Sequence, residues 1–351
     1  MTPSLRGAIL GFGNVAEHGH LPAWLARDDV HIAAVVEPDA ERRARAQALL
    51  PDTRSYRDLA AALHGERLDF VDIAMPPALH AAAIEEAAAA GLHVLCEKPL
   101  VVTPAELARV GDASRRSGVT LFTVHNWKHS EPFRRVRDLL GGGALGPLTA
   151  VKFETVRDGC SRAVGDQWRM RSAVAGGGIL VDHGWHAFYL IPALVGERPL
   201  SVRARLARRR YLSADVEDSA SCAIEFPSLS AELELTWAGS ERRTSWRLVG
   251  RDGEIELSDA RLRLFRHGRA GEEIECAESL SAGSHHPEWF GAVIDEFRRE
   301  IVVPGQRGAN LAEAGQCVDL LAAAYRSDAS GGHRQELPAL RDAETSRAAR
   351  P

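Results

Sequence analysis

The first 124 residues alternate short apolar runs with longer segments of helical character. The apolar runs are GAIL (7–10), HIAAVV (31–36), FVDIAM (70–75), LHVLC (92–96) and VTLFTV (119–124). Between them lie a segment near 14–26, PDAERRARAQALL, PPALHAAAIEEAAAA and TPAELARVGDASRRSG. Strands that are apolar throughout are buried on both faces, and intervening helices make such a sheet parallel with right-handed crossovers. After about residue 125 the pattern changes. A helix near 131–141 precedes a strand at 149–156 and an apolar helix near 179–196. SVRARLARR, SCAIEF, SAELELTWAG, TSWRLVG, GEIELSD and RLRLFRHG then follow without helices between them. Such a run predicts a large, open, mostly antiparallel sheet. Helices near 287–302 and 309–327 follow, and 341–351 reads as a frayed polar tail. The expected organisation is α/β: a parallel doubly wound domain at 1–124 and a second α/β domain at 125–340.

Composition removes several classes of function. Of 351 residues, 45% are hydrophobic and 26% charged, which excludes a disordered chain. The net charge of −5 gives no electrostatic case for nucleic acid or an anionic membrane. The basic run at 203–212 alternates as a strand with one solvated face would. The apolar stretch 178–196 is long enough to span a bilayer, yet it carries Asp182, His183, His186 and Pro192, so we expect a buried functional segment. Five scattered cysteines without a CxxC pair fit a reducing cytoplasm, and the N-terminus reads as a strand and turn, with no secretory segment. Lysine occurs only at 98, 128 and 152, against 40 arginines. A lysine kept against such a bias is a candidate for chemistry that a permanently charged guanidinium cannot copy.

Gly11-Phe12-Gly13-Asn14-Val15-Ala16 follows the first strand and opens a helix, the setting in which G-x-G-x-x-A binds a dinucleotide. The first glycine allows the tight turn, the second admits the pyrophosphate, and Ala16 lets helix and strand pack closely. Glu37 ends the second strand, 24 residues after Gly13. A carboxylate there accepts hydrogen bonds from the adenosine ribose and repels a 2′-phosphate, so NAD is expected over NADP. Arg42 and Arg43 leave NADP open. These features predict a Rossmann domain.

Two further motifs bring chemistry. Glu97-Lys98-Pro99 follows the strand at 92–96, at the edge where open α/β sheets bind ligands. Gly176-Gly177-Gly178 leads into Asp182-His183-Gly184-Trp185-His186, with Asp182 and His186 spaced i, i+4 on one helical face. With Trp168-Arg169 and the late L-x-G-x-x-G-x-I from Leu248 to Ile255, the chain resembles the Gfo/Idh/MocA family of sugar and cyclitol oxidoreductases along nearly its whole length. The resemblance implies that Lys98, Asp182 and His186 form the catalytic group. Their chemistry suits that role: removing hydride from a carbinol also requires removing its hydroxyl proton. His186 can take that proton, Lys98 can stabilise the developing alkoxide, and Asp182 can orient the pair.

The resemblance further implies that Gly11, Phe12, Gly13, Asn14, Val15, Glu37, Met75, Pro76, His80, Glu97, Lys98, Asn126, Trp168 and Arg169 bind cofactor. Trp127, Lys128 and His183 are expected to join the catalytic group around a sugar or cyclitol substrate, Lys128 as a departure from the family's pattern that lies in the cleft and contacts cofactor or substrate. Lys128 stands where many relatives carry an arginine-containing segment. No metal is expected. Asp182, His183 and His186 have no nearby glutamate or cysteine to complete a set. His285-His286 could reach the cleft from a loop, but reads better as a solvent-exposed turn. A homodimer or homotetramer through the second sheet is implied, with Trp237 and Trp246 as interface or core. Two other activities stay open: a redox-neutral enzyme that uses NAD transiently, and a dinucleotide-sensing regulator without catalysis.

Overall fold

The computed structural model describes residues 4–160 and 167–339. The expected polar tail at 341–351 lies outside the described residues. Two compact units share them: 4–129, 167–176 and 283–311 form the first, and 130–160, 177–282 and 312–339 the second. The sequence places one boundary at 124/125. By packing, the chain returns to the first unit twice after that point.

The first unit holds β1 (Leu5–Leu10), β2 (Val30–Val36), β3 (Arg54–Tyr56), β4 (Phe70–Ile73), β5 (His93–Cys96) and β6 (Leu121–Thr123). All pair in parallel, in the order β3-β2-β1-β4-β5-β6. This is the doubly wound order, with its switch point between β1 and β4, where such sheets bind ligands beyond the strands' carboxyl ends. β3 is absent from the hydrophobic pattern because it is three residues long and opens with the exposed Arg54. The helix expected near 14–26 divides into a π-helical turn, Ala16–His20, and a short α-helix, Leu21–Leu25. The helix Pro104–Ser117 shows how local sequence fixes an element. Thr103 and Glu106 form a reciprocal capping box, Pro104 takes the first turn, and Gly118 ends it at φ 65°.

The helix Pro287–Val302, expected in the second domain, belongs to the first unit. Its apolar residues Phe290, Val293, Ile294 and Phe297 join Ile9, Trp24, Phe70 and Phe122 in one core. The Phe297 ring stands edge-on to Phe70 at 5.8 Å and to Phe122 at 5.9 Å. A 16-residue helix with one apolar face is stable only where a matching apolar surface receives it, and that surface lies on the parallel sheet.

The second unit holds β7 (Leu148–Asp158), β8 (Ser201–Ala207), β9 (Ser219–Glu225), β10 (Ser230–Thr236), β11 (Ala238–Gly250), β12 (Gly253–Ser258), β13 (Arg261–Arg266), β14 (Glu272–Glu275) and β15 (Gln335–Glu336). They form one sheet, β14-β13-β12-β11-β7-β10-β9-β8-β15. Every pair is antiparallel except β7 with β10. Along β7 the residues Val151, Phe153, Thr155 and Arg157 are buried, and along β10 Ala231, Leu233 and Leu235 are. Alternate positions carry Lys152, Glu154, Glu232 and Glu234, as expected of a sheet with one packed and one polar face. The acidic β14 gave no hydrophobic signal; it is bound to β13 partly by Arg261, Arg263 and Arg266 facing Glu272, Glu273 and Glu275. Leu248–Ile255 is the β11–β12 hairpin around Arg251-Asp252.

Trp237 and Trp246 are buried within this unit, and Trp246 stacks on Phe153 at 4.5 Å. They are core residues, which removes the sequence's hint of an interface there. In the basic run, Arg203 and Arg205 face outward from β8 while Val202 and Ala204 are buried. Backbone amides of Arg209, Arg210 and Tyr211 then donate to the Asp218 carboxylate at 2.9, 2.6 and 2.8 Å.

Truncating Phe297 tests whether the late helix closes the first core. Phe297→Ala is expected to lower the unfolding free energy by about 3–5 kcal/mol, the usual cost of emptying a buried aromatic site. Urea unfolding followed by tryptophan fluorescence measures it.

Candidate active site

The dinucleotide turn is built as its sequence suggests. Gly11 has φ +86°, and a Cβ on it would sit 2.7 Å from Met75 Cγ and 2.9 Å from the Ala74 carbonyl oxygen. Gly13 faces open space, so its backbone can be approached by a ligand. Phe12 turns inward to the core, and its amide donates to Glu37 Oε2 at 2.8 Å. Glu37 Oε1 accepts from the Asp39 amide at 3.0 Å. The carboxylate at the end of β2 is thereby fixed beside the glycine turn. Arg42 lies 3.9 Å from it, while Arg43 is spent on the Glu37 and Pro38 carbonyls. The open approach at Gly13 and the placed carboxylate fit a dinucleotide; Asn14 and Val15 lie half-buried on the same turn.

Met75 and Pro76 follow β4, half-buried. His80 lies beneath them, fully enclosed. Its ring nitrogens meet the Met75 carbonyl at 2.8 Å and the Pro99 carbonyl at 2.9 Å, and burial holds its pKa below the usual histidine value. The His80 side chain therefore ties the loop after β4 to the segment after β5 and offers no face to a ligand.

Glu97 and Lys98 are half-buried at the end of β5. Glu97 sits in a chain of charges unmarked in the sequence. Asp72, on β4 and without exposure, accepts from Trp24 Nε1 at 2.7 Å and faces His20 Nδ1 at 2.9 Å. His20 Nε2 meets Glu97 Oε1 at 3.0 Å, and Glu97 Oε2 accepts the Lys98 amide at 2.9 Å. The His20 ring stacks on Phe290 at 3.9 Å. Burial opposes a charge on His20, but Asp72 and Glu97 outweigh it and raise its pKa to about 9. Burial likewise disfavours the Glu97 carboxylate, yet His20 and Lys98 hold its pKa below the usual value.

In the second unit, Asp182 and His183 lie in a π-helical turn, Leu180–Gly184, that runs into the helix Trp185–Val195 carrying His186. π-helical turns recur at functional sites. Asp182 Oδ2 is 3.3 Å from His183 Nδ1. His186 is buried, and its Nδ1 meets the Tyr189 hydroxyl at 2.7 Å. Glu217 supports the turn: its Oε1 accepts the Gly178 and Leu180 amides and the Tyr325 hydroxyl, each at 3.0 Å. Gly178 must lack a side chain, because a Cβ there would collide with the Glu217 carbonyl. Burial raises the Glu217 pKa against those donors. Arg157 and Arg242 share Ser281, through Arg157 Nη1 to its hydroxyl at 3.4 Å and Arg242 Nε to its carbonyl at 2.7 Å. Burial and then Arg242 lower the Arg157 pKa to about 10, against the pull of Asp182 and Asp259.

The remaining candidates belong to the first unit. Trp168 and Arg169 form a turn in which the guanidinium lies 4.2 Å over the indole. Asn126 and Lys128 are half-buried beyond β6, and Trp127 is buried edge-on to Trp289 at 6.2 Å. Trp127 is thus held by the protein's own packing. His285-His286 is not a solvent-exposed turn: His286 is buried, stacked on Trp289 at 3.7 Å, and His285 is half-buried with its ring 5.7 Å from His18. Among the described residues no cluster of His, Cys, Asp and Glu is arranged to hold a metal, and no helix is long and apolar enough to cross a membrane.

Comparison with known proteins decides the family. Residues 5–125 match the oxidoreductase family with an NAD-binding Rossmann fold, and residues 133–256 match the GFO/IDH/MocA C-terminal domain. The chain belongs to the Gfo/Idh/MocA oxidoreductases. It is 31% identical over 258 residues, 73% of each chain, to a dTDP-3,4-didehydro-2,6-dideoxy-alpha-D-glucose 3-reductase of Streptomyces violaceoruber. It is 32% identical over 275 residues to a D-apiose dehydrogenase of Paraburkholderia graminis, covering 76% of this chain and 70% of that one. An oxidoreductase from Agrobacterium radiobacter, solved with NAD+, L-tartaric acid and magnesium, shares the fold with a TM-score of 0.84 at 22% identity, over 95% of this chain and 98% of that one.

In this Gfo/Idh/MocA member, sequence reasoning missed His20, Asp72, Tyr189, Glu217 and Tyr325. Tyr189 alone had a local signal, three residues after His186 and so on its helical face. The pH dependence of stability tests the His20 charge. Its pKa rises from 6.5 unfolded to about 9 folded, so its contribution is complete below about pH 6.5 and is lost as pH rises through about 9. Wild-type Tm is expected to fall between those values, whereas His20→Gln shows a flatter profile by scanning calorimetry.

Proposed function

We propose that this oxidoreductase moves hydride between nicotinamide and a secondary alcohol or ketone of a sugar, cyclitol or derivative, with Lys98, Asp182 and His186 as its catalytic group. The observation that carries this reading is the mounting of His186: a buried imidazole fixed at Nδ1 by Tyr189, one turn from Asp182. Bound at the glycine turn, the nicotinamide dinucleotide supplies the hydride acceptor in oxidation and the donor in reduction. The residues suited to hold it are Gly11, Gly13, Asn14, Val15 and Glu37, with Met75, Pro76, Asn126, Trp168 and Arg169.

The chain's own residues handle the proton. With Nδ1–H donating to the Tyr189 oxygen, Nε2 of His186 carries the lone pair that accepts the substrate hydroxyl proton, and in reduction the same atom returns it. The Lys98 ammonium donates to the substrate oxygen and stabilises its developing charge. Asp182 balances the positive charge that gathers on His186. His183, beside Asp182, and Lys128 are assigned to substrate. NAD is favoured by the Glu37 carboxylate, fixed where a 2′-phosphate would meet it; Arg42 beside it keeps some use of NADP open. A relative 28% identical, from Haloarcula marismortui, is a D-xylose 1-dehydrogenase [NADP(+)].

The sugar class rests on these relatives, among them an inositol 2-dehydrogenase of Corynebacterium glutamicum that is 27% identical. We also place the protein in the cytoplasm, in line with five scattered cysteines that form no CxxC motif. We assign it a homodimer or homotetramer through the second sheet, whose polar face carries paired charges such as Lys152–Glu232 and Arg243–Glu154.

Purified protein is to be mixed with NAD or NADP and a panel of inositols, hexoses and amino sugars, with absorbance followed at the reduced-nicotinamide band. A rise with one polyol class, larger with NAD, is expected. His186→Ala should lose that rise by a factor of at least about 100 while NADH fluorescence still reports binding. A flat response across the panel despite NADH binding points instead to a redox-neutral enzyme or a sensor. Light scattering should give two or four times the 38.1 kDa chain mass; a single-chain mass ends the oligomer assignment.

A further inference from the structure

Glu97 has no part in the proton chemistry above, yet both of its oxygens are held, one at His20 and one by the Lys98 amide. We propose that His20 is a positioning residue for Lys98, acting through Glu97. This rests on the reading that Lys98 charges the reacting oxygen.

The geometry runs in one line from the core to the lysine. Asp72 is fixed first, without exposure and holding Trp24 Nε1 at 2.7 Å. It faces His20 Nδ1 with both oxygens, at 3.0 and 2.9 Å. Phe290 lies flat on the ring at 3.9 Å. A ring held at one nitrogen and one face can neither slide nor turn, so Nε2 points in a fixed direction, to Glu97 Oε1 at 3.0 Å. The second Glu97 oxygen accepts the amide of Lys98 at 2.9 Å. One carboxylate therefore has one oxygen tied to the core and the other tied to the backbone that bears the lysine.

The charges explain why a histidine is needed at the centre. An imidazole flanked by two carboxylates satisfies both only when both nitrogens carry protons. It then forms two charge-assisted hydrogen bonds, which are shorter and stronger than neutral ones. Trp24 and Phe290 add no charge, and Lys98 follows Glu97 along the chain. Removing the Nε2 donor leaves one oxygen of the half-buried Glu97 carboxylate short of a partner, and such a group turns toward water. Lys98 would then lose the fixed starting point of its side chain. Misplacing a reacting group by about 1 Å can cost about a hundredfold in rate.

Two substitutions separate this role from a merely structural one. In His20→Gln the amide nitrogen falls near the position of Nε2 and still reaches Glu97. In His20→Asn it falls near Nδ1 and reaches only Asp72. With the polyol that gives the largest NADH signal, His20→Gln is expected to keep kcat within about threefold, and His20→Asn to lose about tenfold to a hundredfold. NADH affinity by fluorescence should stay within about twofold in both. Equal kcat in the two variants, or losses that simply follow their Tm, overturns the proposal. If His20→Asn does not fold, Glu97→Asp replaces it: the shortened side chain cannot span both partners, the same loss is expected, and unchanged kcat overturns the proposal. Lys98→Met is run beside them. Its full turnover overturns the Lys98 reading and this proposal together. Its inactivity, with His20→Gln and His20→Asn alike, overturns this proposal alone.

Discussion

A buried carboxylate must be met by fixed donors, and the first unit is organised around one such meeting. Asp72 stands on β4 and Glu97 directly follows β5, its neighbour in the parallel sheet, and a cation stands between the two acids. His20 is that cation. The switch point of the sheet brings the residues together: β1 leads to the turn bearing His20, while β4 and the end of β5 supply the acids. The helix Pro287–Val302 completes the arrangement by laying Phe290 on the imidazole, which shields the pair from water and strengthens each hydrogen bond. A helix from far along the sequence is thus as much a part of the Lys98 support as the motif that contains the lysine.

The second unit solves a related problem with the opposite balance. Glu217 is buried and Glu97 half-buried, but the donors of Glu217 are two backbone amides and a tyrosine, with no cation among its bonded partners. Burial therefore raises its pKa where that of Glu97 is lowered. After His20, the charge of Lys98, next along the chain, also favours the Glu97 carboxylate. Leu180 opens the π-helical turn, so Glu217, by accepting its amide, helps fix the turn that carries Asp182.

What was legible in the sequence was local. Alternating apolar runs gave the parallel sheet, and period-two strands gave the open one, because both patterns are imposed by burial along a continuous segment. Gly11 and Gly13, Glu97-Lys98-Pro99 and Asp182 to His186 were visible because turn geometry and helical spacing confine each to a few positions. Tyr189 was within reach by the same logic. His20, Asp72 and Glu217 were not. Asp72 sits inside an apolar run where it reads as an interruption, and Glu217 is 39 residues from the amide it holds at Gly178. The helix at 287–302 was visible as a helix, but an amphipathic face says only that a partner exists and not which sheet provides it. β3, β14 and β15 were lost because short, polar edge strands owe their existence to the neighbour they pair with.

The lysine bias shows how far composition alone can carry an assignment. Three lysines stand among forty arginines. Lys98 lies half-buried above Glu97, where its amide is anchored and a compact ammonium can approach a single oxygen. Lys152 pairs with Glu232 at 3.7 Å on the solvated face of β7, a role any arginine could fill. Survival against the bias is therefore not itself a sign of chemistry. What separates the two is the surrounding structure: Lys152 is held by one exposed carboxylate, whereas Lys98 is held by a carboxylate that is in turn held by the core. Lys128, half-buried in the turn beyond β6, stands between these cases. Its assignment to substrate gains no support from rarity and depends on whether that turn is fixed as the Glu97 segment is. Trp127 beside it is packed against Trp289, and that anchoring is the physical reason to keep Lys128 among the candidates.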